Sequence, residues 1–260
     1  MVQRLKTTAG FSLAGMLRLF LVIGAIGGLE LLCRGGVIGA FTMIAPSAMV
    51  VSAVRELGKP DVLTDLAFTF SNMAAAAMVS MIGGFAIGVV LHALPRVRHV
   101  VSPLLASWYA VPMFVFYPLL IVLFGLGRGP LIALGALFGL VAMVVNTLDG
   151  IDRLPPAVLK TGRVMRMDPM RTALLIKLPA AIPHLFTGVK LAIAYAIIGV
   201  VAAEFILSTA GIGKRIAFAF NDLDNPTMYG LLLVLLVIVG VINAIIRYCE
   251  QRLFARWGRT

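Results

Sequence analysis

His92, His99 and His184 are the only imidazoles in the sequence, and none has a cysteine or a carboxylate at metal-ligand spacing. Metal sites draw three or four such ligands from characteristic intervals, so no metal centre is expected. No serine, histidine and aspartate suggest a nucleophilic arrangement. Gly211-Ile212-Gly213-Lys214 places a lysine after two glycines, but it is not the G-x-x-x-x-G-K-[ST] loop that cradles nucleotide phosphates. The chain is therefore expected neither to be an enzyme nor to hydrolyse ATP. Carboxylates within the apolar runs are few: Glu30 and Glu204, both toward the ends of their runs. Carriers driven by protons or sodium set ionisable groups deep in their helices, and their scarcity here points to an outside source of energy.

The polar chemistry collects elsewhere. From Arg163 to Pro183 the sequence reads RVMRMDPMRTALLIKLPAAIP. Pro155-Pro156 suits the first turn of a helix, which would run over Ala157–Met167. Asp168-Pro169 breaks it, and Asp168 can cap a second helix that begins at Pro169 and ends near Lys177-Leu178-Pro179. Lys160, Arg163 and Arg166 recur at helical spacing of three and would lie near one another. Such a helix-turn-helix is a rigid protrusion suited to docking a partner; a solvated basic loop is the plainer alternative, and the residues alone support both.

These features sit in a chain of 260 residues that is 61% hydrophobic and 13% charged, where about a quarter charged is usual for soluble domains. The composition implies a polytopic all-α membrane protein and leaves no room for a soluble nucleic-acid-binding domain, despite a net charge of +11. Runs long enough to cross a bilayer are Phe11–Cys33, Asp65–Leu91, Val101–Leu126, Pro130–Leu148, Ile182–Leu207 and Thr227–Tyr248. The first is longer than a signal-peptide core and is expected to stay uncleaved. Thr42–Leu57 is shorter and is expected to be interfacial or re-entrant. With the N-terminus in the cytoplasm, fifteen Lys and Arg fall inside and six outside, Lys190 being left uncounted within the fifth run. That asymmetry places both termini and the basic loop in the cytoplasm. Cys33 and Cys249 then lie on opposite sides, so no disulfide joins them. Gly24/Gly28, Gly84/Gly88 and Gly135/Gly139 have the spacing of helix-packing seams.

Several residues within the runs have two readings. Pro112 and Pro118 would each remove a hydrogen bond and bend the third helix, lining a path beside Trp108 and Tyr109, or be tolerated kinks beside an aromatic belt. Asn72 and Asn146 are structural or solute-facing. Glu204 is a solute contact or gate near one mouth, or it pairs with a cation such as Arg128.

The loop resembles the cytoplasmic loop of ABC importer permeases, with the pattern E-A-A-x-x-x-G-x(9)-I-x-L-P. Ile176-Lys177-Leu178-Pro179 matches its end; Lys160-Thr161-Gly162 fall on E-A-A and Arg166 on the glycine, so the front departs from the pattern. VPMFVFYPLLIVLFGLGRG from Val111, NTLDGI from Asn146 and IPHLFTGVKLAIAYAIIGVVAAEFILSTAGIG from Ile182 resemble the permeases that handle nitrate, sulfonates and taurine. The likeness runs from about Pro95 to the C-terminus. It implies one transmembrane permease domain over 1–260, about six spans, and a coupling loop over about 149–180 that docks on a separate ATPase. Lys160, Thr161, Gly162, Arg163, Arg166, Met167, Asp168, Pro169, Leu178 and Pro179 would form that loop. Asn72, Trp108, Tyr109, Pro112, Pro118, Asn146 and Glu204 would border the translocation path. The implied partners are ABC ATPase subunits, which carry ATP and Mg²⁺, a second permease copy or paralogue, a periplasmic solute-binding protein and the lipid of the inner membrane. The solute would be small and polar or anionic. The rivals are an ion-coupled carrier or channel without an ATPase, a membrane-embedded enzyme, and an exporter.

Overall fold

A computed structural model describes residues 13–39 and 41–257, and all regular structure among them is helical. In chain order the helices are α1 (Leu13–Arg34), α2 (Pro46–Leu57), α3 (Pro60–Ala93), α4 (Pro95–Ser107), α5 (Tyr117–Phe124), α6 (Arg128–Asp152), α7 (Pro156–Val164), α8 (Pro169–Thr172), α9 (Leu178–Leu207), α10 (Ile212–Asn221) and α11 (Asn225–Trp257). Five helices are long and apolar enough to cross a bilayer, or six if α4 and α5, bent apart by 95°, count as one broken span. The chain is an all-α membrane protein. The first twelve residues, including Arg4, Lys6 and Phe11, lie outside the described ones.

The core is a tight bundle of α3, α6 and α9, and glycine sets its closeness. A Cβ on Gly84 would stand 2.6 Å from the Leu140 carbonyl oxygen, and one on Gly199 only 2.7 Å from the Gly135 Cα. Gly88, Gly135 and Gly139 are equally crowded. Without a hydrophobic force between helices in lipid, small residues and interhelical hydrogen bonds hold such contacts. Ser80, fully buried, supplies one, donating from Oγ to Ala136 O across the seam (3.1 Å). Two of the three expected glycine seams are therefore real. Gly24 and Gly28 have nothing within 4 Å, because α1 stands apart from the bundle.

One polar joint ties α1 to the rest. Glu30 accepts the Ser47 backbone N–H (2.9 Å), the Ser47 hydroxyl (2.6 Å) and Arg34 Nε (2.5 Å). Its carboxylate sits at the N-terminus of α2, where unpaired N–H groups and the helix dipole favour negative charge. The α2 helix has 12 residues, about 18 Å, too short to cross a bilayer. It lies along the start of α11, where Ser52 Oγ donates to Pro226 O (2.6 Å) and Gly230 leaves room for it.

The third span departs from expectation. It is not one helix bent at two prolines. The α4 helix stops at Ser107, short 3₁₀ turns cover Trp108–Ala110 and Met113–Phe116, and α5 leaves at 95° to the incoming segment. Pro112 stands at the break. Pro118 lies in the first turn of α5, where its missing N–H would have no helical partner anyway, so it starts a helix and kinks none.

Candidate functional site

At one end of the bundle, residues 153–177 form a helical hairpin. The α7 helix begins with Pro156 in its first turn and ends at Val164, three residues earlier than the sequence suggests. It ends there because Arg166 adopts φ +51° and the Met167 N–H closes back onto the Gly162 carbonyl (3.0 Å). This six-residue closure with a left-handed residue is a common helix stop, normally occupied by glycine. Holding arginine there costs about 1 kcal/mol. It also explains why the resembled pattern has glycine at this position. Arg166 thereby leaves the helix, so the expected row of Lys160, Arg163 and Arg166 along one helical face does not form. Gly162 is buried against α8, where a Cβ would meet Thr172 Cγ2 at 2.7 Å. The helices α7 and α8 fold back on each other through that gap.

The second helix does not end near Pro179. Four residues of α8 pass into a π-turn over Ala173–Lys177, which runs on into α9. The reason is steric: proline at 179 cannot donate to the Leu175 carbonyl and would collide with it at α-helical spacing, and a wider turn relieves the clash. Ile176 and Lys177 lie in that turn, and Leu178 and Pro179 start α9, both half-buried. Lys160, Arg166 and Asp168 are exposed, Met167 is half-buried, and the side chains of Thr161, Arg163 and Pro169 lie outside the described ones. Between them the hairpin presents apolar surface: Val164 is 81% exposed, Met165 65%, Leu174 51% and Leu175 66%. At the hairpin's root Arg98 of α4 grips Asp152 of α6 through both guanidinium nitrogens, and His92 of α3 stands 3.2 Å away from the same carboxylate. Lys190 pairs with Glu250 (2.5 Å), linking α9 to α11 nearby.

In mid-span, the break after α4 places Trp108 and Tyr109 against the bundle. Trp108 Nε1 donates to the Leu137 carbonyl (3.3 Å). Tyr109 stacks on Tyr195 of α9, with ring centroids 5.0 Å apart and planes at 23°. The sequence reading passed over Tyr195; its signal is a phenol in the middle of an apolar run. Asn146 is half-buried and donates to the Ala142 carbonyl of its own helix (2.8 Å).

At the far end Glu204 is 1% exposed and anchors α10, a helix the sequence reading did not anticipate. Its Oε2 accepts the Thr69 hydroxyl (2.8 Å) and the Gly213 N–H (3.1 Å). Thr69 Oγ1 accepts the Ile212 N–H (3.0 Å), and Asp65 accepts the Gly211 N–H (2.9 Å) while pairing with Arg215. Three successive N–H groups at the start of α10 are thus held by side chains of α3 and α9. Glycine at both flanking positions permits this: Gly211 has φ +107° and a Cβ there would fall on the Glu204 carboxylate, while a Cβ on Gly213 would lie 2.6 Å from the Glu204 Cβ. The glycines around Ile212 are therefore a cradle for one carboxylate. Asn72, fully buried, faces Glu204 without a hydrogen bond of acceptable geometry. Of the two readings of Glu204, the pairing with Arg128 does not occur, since that guanidinium lies over the Phe68 ring, 4.9 Å from its centroid. The structure thus brings Asn72 and Glu204 together at one end, sets Trp108, Tyr109 and Pro112 at the break, and leaves Asn146 on α6, apart from both. Among the described residues no three His, Cys, Asp or Glu side chains gather as a metal site would require.

Residues 80–257 match the family model for the binding-protein-dependent transport system inner membrane component. Among known proteins the chain is similar to a probable ABC transporter permease protein of Haemophilus influenzae, with 27% identity over 65% of this chain and 69% of that protein. It is 28% identical to the glycine betaine/proline betaine transport system permease protein ProW of Salmonella typhimurium, over 74% of this chain but 55% of that longer protein. It is 24% identical to the nitrate import permease protein NrtB of Leptolyngbya laminosa, over 72% of this chain and 67% of that one.

Proposed function

Because the chain belongs to the family of binding-protein-dependent transport system inner membrane components, we propose that it is the permease subunit of an ATP-driven importer. It forms the path for a small polar or anionic solute that a periplasmic binding protein delivers, and it takes its energy from a separate ATPase carrying ATP and Mg²⁺. The observation that carries this reading is the unbroken helical connection from the hairpin into a span. Residues 173–206 form one continuous helix of 34 residues, about 50 Å, with α8 and the hairpin at one end and Glu204 at the other. A push on the hairpin would then reach the α10 end without crossing a flexible joint. The exposed Val164, Met165, Leu174 and Leu175 give the hairpin the apolar surface of a docking element. Stoichiometric recovery of an ATPase with the tagged permease from native membranes, without crosslinker, is the expected result. Solute uptake by proteoliposomes holding the permease alone would overturn the reading in favour of a self-sufficient carrier.

In this reading the hairpin and both termini face the cytoplasm of the inner-membrane cell, α10 faces outward, and two permease copies or paralogues enclose the path. Sidedness has a direct test. After Cys33 and Cys249 are replaced by serine, a cysteine at Thr209 should react with an impermeant thiol reagent added outside, and one at Arg171 should not. Both positions are exposed, so burial does not confuse the result. The opposite labelling pattern refutes the orientation.

A further inference from the structure

We propose that Arg166 is a guanidinium anchor for a carboxylate on the partner ATPase; this rests on the importer reading above and names the chemistry of its docking contact. Arg166 holds the left-handed position that closes α7, with φ +51°. Strained backbone positions concentrate at functional sites. Strain by itself decides little, because Leu223 closes α10 in the same way with φ +56°. The difference is the side chain. Arg166 is exposed and makes no hydrogen bond or ion pair among the described residues. The carboxylates at the hairpin's root are occupied: Asp149 pairs with Arg153 (3.3 Å) and Asp152 with Arg98. Beside Arg166 in the chain stand the exposed Val164 and Met165. A planar cation bordered by apolar side chains is the make-up of an interface hot spot, in which arginine binds a carboxylate through two parallel hydrogen bonds. The turn that leads the chain away from α7 carries the guanidinium out of the helix row and off the packed face made by Gly162 and Thr172. The complementary surface is an apolar cleft with an acidic residue at its edge.

The experiment compares Arg166→Gly, Arg166→Lys and Arg166→Glu in the full-length permease, reading ATPase affinity at low and high salt alongside the melting temperature. Glycine suits a left-handed position better than any other residue, so Arg166→Gly should melt at or above the wild-type temperature. It should nevertheless bind the ATPase about tenfold more weakly, as loss of a hot-spot side chain does. Arg166→Lys keeps the charge without the fork and should fall between. Arg166→Glu should bind most weakly and show the least weakening with salt. Wild-type affinity in Arg166→Gly overturns the anchor while leaving the importer reading intact. Unchanged ATPase affinity with a lost response to phosphatidylglycerol in nanodiscs would assign the guanidinium to lipid and equally overturn it. A wild-type permease that binds no ATPase at all would remove the importer reading itself.

Discussion

Glu204→Ala should loosen α10 and destabilise the protein by about 3 kcal/mol, the scale expected when two buried donors lose their acceptor. The substitution leaves the Thr69 hydroxyl and the Gly213 N–H without their acceptor in a place closed to water. It also leaves a hole beneath Gly211 and Gly213, whose bare backbones were pressed against the missing carboxylate. Glu204→Gln keeps the shape and one acceptor oxygen, so it should lose less. Thermal unfolding of the detergent-solubilised variants gives the ranking. Protease sensitivity of the segment from Ser208 to Asp224 shows whether the loss is local. A Glu204→Ala protein with wild-type melting and wild-type protection would mean that α10 is held without Glu204, by Asp65, Thr69 and its packing on α9 and α11.

Replacing Met167-Asp168-Pro169 by three glycines should uncouple the protein while leaving it inserted. The backbone bond from position 167 to Gly162 can persist, since glycine keeps its N–H. What disappears is the stiffness supplied by the fixed φ of Pro169 and the restricted backbone of Asp168. A docking element must hold its shape while it is pushed. Solute-stimulated ATP hydrolysis and uptake should therefore fall together by roughly tenfold or more, equivalent to about 1.4 kcal/mol of coupling. Expression level and elution volume serve as controls for insertion. Full coupling in the triple-glycine protein would reduce the hairpin to a solvated loop that only sets topology.

Much of this architecture is legible in the amino-acid order because the bilayer imposes a length on every apolar run. The spans, the short α2 helix and the Asp168-Pro169 turn follow from run length and from proline. The errors share a cause. Pro112 and Pro118 read as bends and Pro179 as a helix end, yet Pro118 begins a helix and Pro179 is absorbed by a π-turn. Whether a proline breaks a helix depends on which carbonyl lies four residues before it, and the sequence does not say which turn that carbonyl belongs to. For Glu204 the sequence leaves a solute contact or gate and a pairing with a cation such as Arg128 both open. Its partners are a hydroxyl and a backbone N–H, and only the fold brings Thr69 within reach from 135 positions away. The glycines at 211 and 213 were the available signal, since paired glycines at a helix start mark a backbone that something must approach closely.

The π-turn over Ala173–Lys177 also sets an azimuth. A helix fixes direction as well as distance, each residue advancing about 100° around the axis. One extra residue in a single turn swings everything before it around the α9 axis by about that angle. The hairpin therefore points about a quarter-turn away from where an uninterrupted α-helix would aim it. The path from Arg166 to Glu204 works like a crankshaft whose two throws are set by one wide turn: the side of the molecule on which a partner must sit, and the direction in which α9 is driven, depend on the five residues between α8 and Leu178.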